Sequence, residues 1–157
     1  MRLLLDEQAS RDALRELLGY TLLNETKADD EVLVYFSGHG ETLGSGGRPM
    51  GYLMPADAEA ERPGVTGLAM SELVGWMGSW PAQRRLLIAD ACYSGLAVPS
   101  VRRIRAAEAP GTAECRPRTQ VPVTAVLVAG RQGGLANETD AGGVFTDAFL
   151  QALDGIE

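Results

Sequence analysis

The sequence predicts an α/β fold: a three-layer sandwich in which a mostly parallel sheet carries helices on both faces. Three observations lead there. Val32–Phe36 (VLVYF), Arg84–Ala91 (RRLLIADA) and Val123–Gly130 (VTAVLVAG) are nearly unbroken apolar runs, the pattern of strands covered on both sides. Segments of helical periodicity alternate with them. The chain has 157 residues, 45% of them hydrophobic, which suffices for one domain, 1–157, with its own core.

Each element has its own signal. Leu3–Leu5 reads as a short strand that Asp6-Glu7 ends. Ser10 opens a helix with Ala13, Leu14, Leu17 and Leu18 at helical spacing, and Gly19 is a stop signal. Asp29-Asp30-Glu31 is a polar turn before the Val32–Phe36 strand. Ser37–Gly51 (SGHGETLGSGGRPMG) is expected as a glycine-rich loop, and GYLMPAD as a short extended piece that Pro55 ends. Thr66–Trp80 has helical periodicity through Leu68, Leu73, Trp76 and Met77, with Trp76 and Trp80 packing the helix. After the Arg84–Ala91 strand, residues 97–120 are rich in Pro, Ala and Arg without periodicity, hence a long loop. Gly142–Gly155 closes the chain as a helix with Val144, Phe145, Ala148, Phe149 and Ala152 on one face.

Net charge is −7, with 22% charged residues. An acidic chain is a poor match for nucleic acid, whose phosphates call for clustered Lys and Arg. No apolar stretch approaches a membrane span, and Asp6-Glu7 interrupts any leader-like run, so the cytoplasm is expected. Cys92 and Cys115 do not make a disulfide framework. One histidine and two cysteines leave a zinc site short of a ligand, so no metal is expected from them.

In open α/β sheets ligands bind beyond the carboxyl ends of the strands. Two such ends are chemically loaded: Ser37-Gly38-His39-Gly40 after VLVYF, and Asp90-Ala91-Cys92 after RLLIA. A thiol becomes nucleophilic on ionising, and an imidazole can accept its proton. Gly38 and Gly40 let the backbone approach a substrate closely. A peptide N–H beside the histidine and that of Cys92 could receive the oxygen of a tetrahedral intermediate. His39 and Cys92 stand 53 residues apart, near the roughly 50 of caspase-type proteases. A dinucleotide-binding turn at Gly38, Gly40 and Gly44 would need a helix at once, which Ser45-Gly46-Gly47-Arg48-Pro49 forbids.

VYFSGHG and LLIADACYSG resemble the histidine and cysteine motifs of the caspase-like cysteine peptidases. They are closer to bacterial members and metacaspases, with their Asp-Ser-Cys-His-Ser-Gly, than to animal caspases with Gln-Ala-Cys. AVLVAGRQGGLANE and GGVFTDAFLQAL resemble the family's next strand and helix. The resemblance implies a caspase-like sheet and a peptidase with a Cys-His dyad. Cys92 would attack the scissile carbonyl, His39 would move the proton, and Gly40 and Cys92 would supply the oxyanion N–H groups. Asp90 would line the pocket for the residue before the cut and favour Arg or Lys, as a partly buried carboxylate rewards a cation.

The resemblance also shapes further expectations. RLLLDEQASR resembles the family's second strand, so the first strand is missing. The chain is then expected to be a fragment of a longer protein, or to have its sheet completed by another chain or segment. Sensor or effector domains are expected partners. No cofactor is expected, because Glu41 and Asp57 are too few hard ligands for a calcium site. The loop 97–120 corresponds to the linker between subunits, and Arg102, Arg103, Arg105, Arg116 and Arg118 in it would be self-cleavage sites. Cys115 is read as incidental, and Glu138 as either a residue of the active-site rim or a solvated surface acid. The competing expectation is a catalytically inert caspase-like module that recognises a partner.

Overall fold

The computed structural model describes residues 1–44, 49–91, 122–128, 138–139, 142–143, 146 and 149–151. A five-stranded sheet runs in the order β3-β2-β1-β4-β5, formed by β1 (Glu31–Leu43), β2 (Met50–Met54), β3 (Leu68–Ala69), β4 (Arg84–Ala91) and β5 (Val123–Val128). β1, β4 and β5 are parallel neighbours. β1–β2 and β2–β3 are antiparallel. The α/β expectation holds, with an antiparallel annex beside the parallel strands. β6 (Glu138–Thr139) and β7 (Gly142–Gly143) form a separate antiparallel pair.

One face of the sheet carries the core. Leu87, Ala89 and Ala91 of β4 are buried there with Leu14, Leu18, Leu53, Leu68, Leu73 and Met77. Val32, Val34 and Phe36 of β1 pack against them, as alternate residues of a strand must. The helices on this face are α1 (Arg11–Arg15), a π-helical turn (Glu16–Thr21), α2 (Leu22–Glu25) and α4 (Met70–Ser79). The opposite face presents Leu33, Tyr35 and Leu127, all substantially exposed. Thr146 meets Tyr35 there.

Several elements differ from the sequence reading. Leu3–Leu5 does not join a ladder. Leu5 is extended, but a 3₁₀ turn (Asp6–Gln8) follows and Leu3 and Leu5 are exposed. Across a cleft of about 400 Å³ from Met1–Leu4 lie Val32–Ser37. Their edge away from β4 has no strand partner among the described residues. Gly19 does not stop the first helix. The chain passes through the π turn and continues to Glu25, and Gly19 lets the Trp76 indole approach, where a Cβ would stand 3.2 Å from it. The glycine-rich loop is mostly strand: β1 continues to Leu43, and His39–Leu43 pair with Met50–Met54. Cross-strand pairing outweighs the low strand propensity of Gly38 and Gly40. The loop proper starts at Gly44, whose φ of 105° suits glycine alone. The helix read from Thr66 starts at Met70, because Leu68–Ala69 pair with β2.

Local caps explain the helix starts. Ser10 Oγ accepts from Ala13 N–H, and Asp57 Oδ1 accepts from Arg11 N–H at 2.7 Å. Pro63 opens the one-turn helix α3 (Pro63–Thr66). Gly67, just beyond it, is fixed by crowding: a Cβ there would lie 2.5 Å from the Pro63 carbonyl oxygen and 3.1 Å from Tyr52 Cβ. Gly67→Ala is expected to lose about 1–3 kcal/mol in urea unfolding, because backbone must shift. Gly75→Ala in α4, where a Cβ meets nothing within 4 Å, is expected to gain about 0.5–1 kcal/mol in the same assay.

Arg85 is buried on the core face. Its guanidinium donates to the Trp80 carbonyl at 2.6 Å and to Thr124 Oγ1 at 3.3 Å. Burial lowers its pKa, as removal from water disfavours the charged form.

Candidate active site

The parallel register of β1 with β4 places two strand ends side by side. Ser37 pairs with Asp90 and Gly38 with Ala91. At the next residue β1 changes neighbour: His39 pairs with Met54 and Gly40 with Leu53. The apolar runs put these ends here, since Val32–Phe36 and Leu87–Ala89 lie in one sheet and must point the same way.

His39 is exposed. It lines a cleft of about 500 Å³ together with Asp6, Ser37, Glu41, Met54 and Ala56. Gly38 precedes it, and a Cβ there would stand 3.1 Å from the Phe36 ring. Gly40 is half-buried. Asp6 has φ 48°, a left-handed conformation that Asp tolerates better than most residues. Such strain gathers at functional sites. Asp6 went unnoticed in the sequence, where it reads as the polar end of an apolar run.

Asp90 is 9% exposed and lies on the face away from the helical core. Its Oδ2 accepts a hydrogen bond from the Thr146 hydroxyl. The same Thr146 oxygen is hydrogen-bonded to the Tyr35 hydroxyl. Tyr35 and Thr146 are 111 residues apart in the chain, and no local pattern in either segment announces the contact.

Cys92, Cys115, the loop 97–120 and Arg102, Arg103, Arg105, Arg116 and Arg118 lie outside the described residues, as does the side chain of Glu138. Asp57 caps α1, and Glu41 sits at the cleft. Among the described residues no three His, Cys, Asp or Glu side chains gather as metal ligands.

The caspase-domain family matches residues 3–156. The chain belongs to the caspase-domain family. No curated protein matches it significantly. Family membership accounts for the sheet and assigns the chain to the cysteine peptidase-like proteins. No helix among the described residues is long and apolar enough to cross a membrane.

Proposed function

We propose that the chain is a cysteine endopeptidase with a Cys92–His39 dyad, cutting peptide bonds after Arg or Lys. The observation that carries the reading is the β1–β4 register. Its last described pair is Gly38 with Ala91, and the next residues in sequence are His39 and Cys92. Cys92 Sγ attacks the scissile carbonyl carbon after its proton passes to His39. The imidazolium returns that proton to the leaving amine as the C–N bond breaks. The N–H groups of Gly40 and Cys92 stabilise the oxyanion. Water then hydrolyses the acyl-thioester and regenerates the thiol.

The buried Asp90 carboxylate supports the basic preference. A hydrogen-bonded charge pair is worth about 1.5–3 kcal/mol, roughly 10- to 150-fold in kcat/KM. Fluorogenic peptides ending in Arg, Lys or Asp test the proposal against Cys92→Ala and Asp90→Asn. Cleavage after Arg and Lys is expected, absent in the first variant and weakened by the stated factor in the second. Cleavage after Asp would keep the dyad and overturn the role of Asp90. No cleavage of any peptide would favour an inert module.

Two partner roles belong to the proposal. The Arg-rich loop 97–120 is cut by the enzyme itself, which intact mass compared with Cys92→Ala would reveal. The edge of Val32–Ser37 that has no strand partner among the described residues, beside its apolar cleft, takes an additional extended segment by strand pairing. Protection of these amides from hydrogen exchange on adding that segment would report it. The setting is cytoplasmic, with fractionation of expressing cells as the check, and no metal or cofactor takes part. Unchanged turnover in chelator would agree, and loss restored by calcium would overturn that point.

A further inference from the structure

We propose that Thr146 and Tyr35 form a two-hydroxyl clasp that positions Asp90 for a substrate cation, making both residues determinants of specificity. The inference rests on the assignment of Asp90 to the basic pocket. Three observations carry it. Asp90 is nearly buried, so its carboxylate must find donors. Thr146 supplies one to Oδ2. Tyr35 reaches the same threonine oxygen from the neighbouring strand.

Counting protons fixes the direction of the chain. An ionised carboxylate only accepts, and a threonine hydroxyl has one proton and two lone pairs. Thr146 therefore donates to Asp90, and its oxygen accepts from Tyr35. Both protons point toward the carboxylate. Such a relay holds the carboxylate in one rotamer. It engages Oδ2, and the proposal gives the other oxygen to a guanidinium or ammonium.

The clasp also joins distant parts of the chain. Asp90 and Tyr35 precede the Arg-rich loop, and Thr146 comes after it. The pocket acid is thus held by a residue from the far side of the proposed cleavage sites. Placement of Thr146 and readiness of the pocket become one event. Thr146 and Tyr35 act through Asp90 and are positioning residues.

The test compares the full chain with Thr146→Val, Thr146→Ser and Tyr35→Phe. Thr146→Val is nearly isosteric and removes the hydroxyl. It is expected to raise KM for an Arg peptide about tenfold, with kcat within about twofold. The inhibition constant of benzamidine, a free cation, should rise in parallel. Thr146→Ser should restore both, and Tyr35→Phe should give a smaller rise in each. A merely structural contact would instead lower thermal stability and leave KM and benzamidine binding unmoved, which overturns the proposal. If the parent chain cleaves after Arg but Thr146→Val matches it, the clasp alone fails. If the parent neither cleaves after Arg nor binds benzamidine, the assignment of Asp90 fails and takes the clasp with it.

Discussion

His39→Ala is expected to lower turnover of an Arg peptide by about 10²–10⁴-fold, the range for loss of a general acid and base. The side chain is exposed at the mouth of its cleft, so its removal should leave stability within about 0.5 kcal/mol. That separates a chemical defect from a folding one. Initial rates with the fluorogenic peptide, beside a thermal melt of each protein, make the measurement. A variant that keeps its rate would move the proton transfer to another group at the cleft, where Asp6 and Glu41 are the neighbours. A variant that loses both rate and melting temperature would mean that His39 holds the β1–β2 pairing together.

Trp80→Ala is expected to cost about 3–5 kcal/mol, a large part of the 5–15 kcal/mol that holds a typical domain. The indole is 1% exposed. Its N–H donates to the Leu18 carbonyl at 2.8 Å, and Leu18 lies in the π turn. Trp80 therefore fills space and also satisfies a carbonyl of an irregular helix. Trp80→Phe divides the two effects. It keeps most of the apolar volume and leaves that carbonyl without its donor, for an expected loss of about 1–3 kcal/mol. Urea unfolding of the three proteins should show midpoints in the order Trp, Phe, Ala with similar slopes. Equal losses for Phe and Ala would assign the whole effect to the hydrogen bond.

The parts of the fold legible in the sequence were those governed by one strong local pattern. Val32–Phe36, Arg84–Ala91 and the stretch from Val123 read as strands because each is a short, nearly unbroken apolar run, although Leu33, Tyr35 and Leu127 are exposed on the face away from the helices. The ends of the parallel strands came with them, and so did the places of His39 and Asp90 at those ends. Elements decided by distant partners were not legible. Leu3–Leu5 has strand composition but no ladder. His39–Leu43 has loop composition but a hairpin partner in β2. Gly19 looks like a helix stop and serves instead as the flat spot against Trp76, whose ring also lies 5.7 Å from the Arg15 guanidinium. The hydroxyls around Asp90 belong to the same category, since a contact across 111 residues leaves no trace in either neighbourhood.

β1 is stitched to β4 up to Gly38 and to β2 from His39 onward. Mechanically the sheet is therefore two plates riveted along one strand, with the change of rivet line at a glycine and the histidine next to it. Asp90 travels with the parallel plate and His39 with the hairpin plate. A rocking of one plate against the other would open or close the distance between them with both ladders intact. A molecule bridging the two ends would brace the plates, and the sheet itself would register its arrival as slower amide exchange across Gly38–Gly40.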